Sequence, residues 1–65
     1  MNNLIKDKRM EKGWTQDELA EKLNVSRQTI ISLEKGRYNP SLTLAFKIAK
    51  VFQSSIEDIF IPGEG

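Results

Sequence analysis

The sequence predicts an all-α fold of five helices. Turn-forming residues punctuate the chain at Gly13, Gly36, Asn39–Pro40, Ser54–Ser55 and Pro62–Gly63. The stretches between them are rich in helix formers and lack the apolar–polar alternation of strands. Most of these stretches open on a Ser or Thr placed as an N-cap. A chain of 65 residues and 7.4 kDa has room for a single domain, residues 1–65. A domain of that size buries only roughly 60% of the surface its unfolded chain exposes.

The first helix is expected from Asn3 to Lys12, stopped by Gly13. Its apolar face is thin, made of Leu4, Ile5 and Met10. The second starts after Thr15, which forms a capping box with Glu18, while Trp14 and Leu19 have the spacing of a hydrophobic staple. It ends near Leu23, and Asn24 suits a left-handed turn. The third begins after Ser26 and ends at Lys35, with Gly36 just beyond. Val25 and Ile30 repeat the staple spacing. The fourth runs from Ser41 through Phe52. It is polar only at Thr43, Lys47 and Lys50, the pattern of a buried central helix, so Phe46 and Phe52 are expected in the core. Lys47 and Lys50 read as its wet side. The fifth, from Ile56 to Phe60, is expected to open on a Ser54–Glu57 capping box. Residues after Phe60 are expected to form a short extended arm, pairing across a dimer.

Composition excludes much chemistry. Cysteine and histidine are absent, which removes thiolate ligands, disulfides, the commonest zinc ligand and the commonest general base. There are no paired carboxylates at a cleft, no nucleophile beside a base and no glycine-rich phosphate loop. An enzyme is therefore not expected, and no cofactor or metal is implied. Ten Lys and Arg against nine Asp and Glu leave a net charge of +1, so binding to an anionic polymer requires charge segregated in space. No apolar run approaches a membrane span and no signal peptide precedes the first helix, which predicts a cytoplasmic protein without a membrane partner.

Residues 16–35 carry the functional pattern. Leu19, Leu23, Val25, Ile30 and Leu33 flank a short turn, and Ala20 leaves room for a close helix crossing. This is the geometry of a helix-turn-helix with the third helix in the recognition position. At about 3.6 residues per turn, Ile30 and Leu33 face inward with Ser26 on their side. Gln28, Ser32 and Lys35 face outward, Arg27 and Ile31 lie on one flank and Thr29 on the other. No acid occurs between Glu21 and Glu34. Arg can pair bidentately with guanine and Gln with adenine in the major groove; Ser32 can donate or accept, and Ile31 can touch a thymine methyl. Gln16 can reach a phosphate beside a helix N-terminus, and Lys35, Arg37, Tyr38 and Asn39 can hold the neighbouring backbone. Tyr38 has a second reading as a cap on the core.

Through TQDELAEKLNVSRQTI, LEKGRYNPSL, and FKIAKVF followed by SIEDIF, the chain resembles the repressor/Cro-type (Xre-like) helix-turn-helix regulators of bacteria and phage, from Leu4 to Phe60. It is similar to their stand-alone, single-domain branch. The resemblance implies base contacts by Arg27, Gln28 and Ser32. Gln16 would bind phosphate and brace Gln28, with backbone contacts at Lys35, Arg37 and Asn39. It further implies an ion pair between Arg9 and Glu34, structural rather than catalytic. The implied function is a sequence-specific regulator of transcription on double-stranded DNA, a repressor acting as a homodimer on a near-palindromic operator. No small-molecule effector is evident. The chain departs from the family at Asn24, where glycine is usual, at Lys8, where leucine is frequent, and at Ile31, where a small polar residue is frequent. The Ile31 departure prevents borrowing any relative's operator sequence.

The apolar cluster Ile56, Ile59, Phe60 and Ile61 exceeds what a short helix needs for docking. One reading is closure over the first helix. The favoured one is a dimer interface, since a small domain gains stability by oligomerising and a two-fold dimer reads two half-sites. The rival function is a protein-interaction module, such as an antitoxin or anti-regulator, supported by Ile31 and this same cluster.

Overall fold

The computed structural model describes residues 2–61, with side chains from Asn3 to Phe60. The order is β1 (Asn2–Asn3), α1 (Ile5–Lys12), α2 (Gln16–Leu23), α3 (Arg27–Glu34), α4 (Leu42–Val51), α5 (Ile56–Ile59) and β2 (Phe60–Ile61). The fold is all-α, with a two-residue antiparallel ladder between the chain ends: Asn2 lies opposite Ile61 and Asn3 opposite Phe60. The extended stretch expected after Phe60 is thus Phe60–Ile61, and it pairs with the start of its own chain. Residues 62–65 and the side chain of Ile61 lie outside the described residues. Asn3 belongs to this ladder rather than to the first helix.

The caps explain where the helices start. The Thr15 hydroxyl accepts the Glu18 N–H at 3.0 Å while the Glu18 carboxylate accepts the Thr15 N–H at 2.7 Å, the reciprocal box expected for α2. Ser26 and Ser41 cap α3 and α4 by accepting from Thr29 and Leu44. The fifth helix departs from expectation by one residue: its box is Ser55 with Asp58, not Ser54 with Glu57. Ser54 is engaged at the preceding helix end, its N–H donating to the Ala49 carbonyl at 2.9 Å and its hydroxyl to the Phe52 carbonyl at 3.1 Å.

The first four helices stop by one device. A residue in the left-handed conformation follows each: Gly13 (φ 74°), Asn24 (φ 59°), Gly36 (φ 72°) and Gln53 (φ 53°). The next N–H then reaches back five residues, Trp14 to Arg9, Val25 to Ala20, Arg37 to Ser32 and Ser54 to Ala49. These bonds satisfy carbonyls that a helix end otherwise leaves unpaired. Gln53 is the unexpected member, because a side chain in this conformation costs about 1–2 kcal/mol.

Ile5, Leu19, Leu23, Ile30, Leu33, Ile48 and Ile59 form the fully buried centre. Trp14 is half-buried against it, its ring stacked on Phe52 at 5.6 Å between centroids and covered by the Lys22 ammonium at 4.6 Å. The fourth helix is not buried all round. Its inward face is Leu44, Ala45, Ile48, Ala49 and Phe52, whereas Leu42 is 68% and Phe46 58% exposed. The expectation of Phe46 in the core is therefore corrected: α2 and α5 pack against α4, and a chain of this length has no further layer to cover its far side. Met10, expected on the inner face of the first helix, is also exposed. Among the described residues, no helix is long and apolar enough to cross a membrane.

Phe52 and Phe46 should respond oppositely to truncation. Phe52→Ala should cost about 3–5 kcal/mol, enough to unfold a domain of this size, whereas Phe46→Ser should change monomer stability by less than about 0.5 kcal/mol. Urea denaturation at low protein concentration, read by Trp14 fluorescence, checks both.

Candidate nucleic-acid interface

The α2–α3 pair is joined through Asn24, Val25 and Ser26. Asn24 turns the chain in the left-handed conformation, and Val25 packs against the core while its N–H is held by the Ala20 carbonyl at 3.0 Å. Ala20 is itself buried, so its methyl lies within the packing that the crossing requires. Leu19 and Leu23 from α2 and Ile30 and Leu33 from α3 fill the angle between the helices. Packing thereby fixes which face of α3 is left to solvent.

On that face Arg27, Gln28 and Lys35 are exposed, and Ile31, Ser32 and Thr29 are half-buried. Ser26 is exposed as well, not turned inward, because its hydroxyl caps the helix and lies 3.0 Å from the Thr29 hydroxyl. Arg37, Tyr38 and Asn39 follow in the exposed loop after α3. Asn39 also borders a groove formed with Pro40, Leu42, Ala45, Ile56 and Phe60.

Behind the face lies a connected polar cluster. The expected Arg9–Glu34 ion pair is present: Arg9 Nε donates to Glu34 Oε2 at 2.6 Å, with side chains only 12% and 5% exposed. Another Arg9 nitrogen donates to the Trp14 carbonyl at 2.8 Å. Gln16 Nε2 donates to Glu34 Oε1 at 3.1 Å, and Gln16 Oε1 accepts from Arg27 Nε at 3.4 Å. Glu34 only accepts and Arg27 only donates, so the orientation of the Gln16 amide is set by its neighbours. In the free protein Gln16 thus engages Arg27 and Glu34, not Gln28. Arg9, Thr15, Gln16, Asp17 and Arg27 line an open recess between the start of α2 and the start of α3.

This arrangement segregates charge in a chain that carries a net +1. The one acid of α3, Glu34, is buried against Arg9, so Arg27, Lys35 and Arg37 dominate its exposed side.

The Helix-turn-helix family model matches residues 5–59. The chain belongs to the helix-turn-helix family of repressor/Cro type. An uncharacterised HTH-type transcriptional regulator of Methanocaldococcus jannaschii is 62% identical over 61 residues, covering 94% of this chain and 92% of the relative. The uncharacterised HTH-type transcriptional regulator YgzD of Bacillus subtilis is 47% identical over 60 residues, covering 92% of this chain and 91% of the relative. A crystal structure of a hypothetical transcription factor from Neisseria superposes with a TM-score of 0.75 at 28% identity, over 83% of this chain and 61% of that one. The family is one of DNA-binding transcriptional regulators, with archaeal as well as bacterial members.

The expected interface cluster is divided by the structure. Ile59 has no exposed surface and Phe60 is 8% exposed, so both are core residues that close over the start of the chain. Their backbone supports this closure, since the Leu4 N–H donates to the Ile59 carbonyl at 2.8 Å. Ile56 is half-buried at the groove. Beside this groove, Leu42 and Phe46 are exposed one turn apart on α4. Two further features escape sequence reasoning. The Arg27–Gln16 contact depends on the helix crossing, and the Asn3 side chain donates to the Leu33 carbonyl at 2.7 Å across thirty residues of sequence. No spacing rule links such positions.

Glu34→Gln keeps the shape but removes the charge, leaving Arg9 uncompensated in a mostly buried place. A loss of about 3–5 kcal/mol is expected. In the double variant Arg9→Met, Glu34→Gln the cost should fall well below the sum of the single changes, because neither charge is stranded. Urea unfolding of the four proteins of the cycle measures this coupling.

Proposed function

We propose that this protein is a repressor that binds double-stranded DNA sequence-specifically, as a homodimer on a near-palindromic operator. The observation that carries the reading is the exposed face of α3. Arg27 and Gln28 stand at the start of the helix, the end that enters the major groove in helix-turn-helix docking. Arg27 pairs with a guanine edge and Gln28 with an adenine edge; Ser32 and Ile31 add a polar and an apolar base contact. Gln16 reaches a phosphate beside the N-terminus of α2, and Lys35, Arg37, Tyr38 and Asn39 follow the backbone after α3.

The homodimer forms through the α4–α5 side. Leu42, Phe46 and Ile56 supply the contact and Phe60 forms the floor of the groove, which supports self-association better than the buried Ile59 does. A two-fold dimer places two recognition helices about 34–36 Å apart, one turn of the duplex. Repression then follows from occupancy, since a dimer seated over a promoter excludes polymerase.

Selection from a random duplex library, followed by anisotropy titration at several salt concentrations, tests this. Enrichment of a two-fold-symmetric site, with affinity falling steeply with salt, is expected. Failure to enrich any site would overturn it and leave the fold as a protein-docking module, the antitoxin-like or anti-regulator alternative. Arg27→Ala should cost about 1–3 kcal/mol and relax preference at one base, whereas Arg37→Ala should weaken all sequences alike and lower the salt slope by about one.

Self-association has its own check. Leu42→Asp should convert the dimer to a monomer in sedimentation equilibrium and leave helix content intact. Retention of the dimer would place the contact elsewhere.

A further inference from the structure

The groups of Asn3 reach both the β1–β2 ladder and the recognition helix. Its backbone lies in β1, opposite Phe60 in β2. Its Oδ1 accepts the Ile5 N–H at 3.0 Å, at the start of α1. Its Nδ2 donates to the Leu33 carbonyl at 2.7 Å. Leu33 is the penultimate residue of α3, and its carbonyl also accepts the Gly36 N–H at 3.0 Å, the bond that turns the chain out of the helix. Both contacts of the side chain are part-buried. Because an amide has one accepting and one donating end, the Ile5 N–H and the Leu33 carbonyl together fix its orientation.

We propose that Asn3 is a positioning residue for the recognition helix, tying the Leu33 end of α3 to the β1–β2 ladder so that closure of the chain ends sets the seat of α3. The tie is rigid on one side because Asn3 is held at its backbone by Phe60 and at its side chain by α1. On the other side it grips the turn that launches Lys35 and Arg37. The site is distinct from the Arg9–Glu34 cluster: that pair holds α3 by the Glu34 side chain, whereas Asn3 holds it by the backbone of the preceding residue. Phe60 also lines the α4–α5 groove, so the strand facing Asn3 adjoins the proposed self-association surface. The DNA-reading part of the inference rests on the function proposed above; the mechanical tie does not.

Asn3→Asp removes the donor and sets a carboxylate oxygen against the Leu33 carbonyl in its place. Aspartate keeps an acceptor for the Ile5 N–H and leaves the ladder unchanged, but it cannot donate to the Leu33 carbonyl. Two measurements on the full chain, at a temperature where both proteins are folded, decide the matter. Hydrogen exchange should be at least about tenfold faster at the amides of Lys35, Gly36 and Arg37 in the variant, with the amides of α2 from Ala20 to Leu23 unchanged, as expected of local rather than global opening. Affinity for the library-selected duplex should fall about tenfold while affinity for random duplex stays within about twofold, as expected when base contacts lose register and phosphate contacts survive. Unchanged exchange at residues 35–37, or an equal rise in every helix, overturns the tie. Faster local exchange with unchanged selected-duplex affinity overturns the positioning role. If the wild-type chain selects no duplex, the proposed function fails, and the exchange measurement still decides the tie on its own.

Discussion

The seat of α3 depends first on the Glu34 carboxylate. This group sits in the last turn of its helix, where the unpaired carbonyls make a negative charge unfavourable. It is also mostly buried, which makes an unpaired charge costlier still. The Arg9 guanidinium offsets both effects from α1, and its Nη1 donates to the Trp14 carbonyl, at the entrance to α2. One arginine thereby fixes the end of α3, the body of α1 and the approach to α2. Gln16 extends the cluster from the start of α2 to Arg27 at the start of α3. The two ends of α3 are thus linked through side chains of the two preceding helices, and the helix is oriented by polar geometry as well as by the apolar contacts of Ile30 and Leu33.

Small size shapes everything else. With few residues to form layers, each helix can be covered on one side only. The consequence is plainest in α4, whose nearly continuous apolar sequence resembles that of an interior helix yet leaves Leu42 and Phe46 in water. Large apolar side chains exposed one turn apart on the same helix add little to the stability of an isolated domain and suit a surface that meets another chain. The same shortage of layers explains the paired chain ends. Ile59 and Phe60 are buried where Leu4 and Asn3 hold their backbone in place, so the segment after α5 contributes to the core.

Most of this architecture is legible in the residues because it is written in local chemistry. Thr15–Glu18, Ser26 and Ser41 mark helix starts through side-chain oxygens that can only bond a few residues onward. Gly13, Asn24 and Gly36 mark helix ends through their tolerance of positive φ. Gln53 performs the same task with no such tolerance, so nothing in its type announces it, and the capping box of α5 lies one residue further on because Ser54 completes the turn that Gln53 makes. Phe46 departs from the sequence expectation for a different reason. Apolarity along a helix states how much surface it can bury, not how much the rest of the chain can cover. Asn3 is illegible for a third: its partner Leu33 is a backbone carbonyl, and any residue would present the same atom.

Charge is where sequence totals mislead most. A net of +1 gives no reason to expect a polyanion as partner, and the opposed charges are nearly equal in number. Folding changes the balance seen from outside by removing Glu34 from the surface and leaving Arg27, Lys35 and Arg37 on it. A field made by so few cations attracts a duplex only at short range and is readily screened by salt. On the proposed function, affinity at physiological ionic strength comes from base contacts, doubled by the symmetry of a dimer, more than from bulk charge. A contribution common to the true site and to random duplex cancels in their ratio, so weak general attraction lowers both affinities and leaves discrimination to the base contacts. The near-neutral composition therefore fits the proposed reading, in which a short helix discriminates through its base contacts and not through bulk charge.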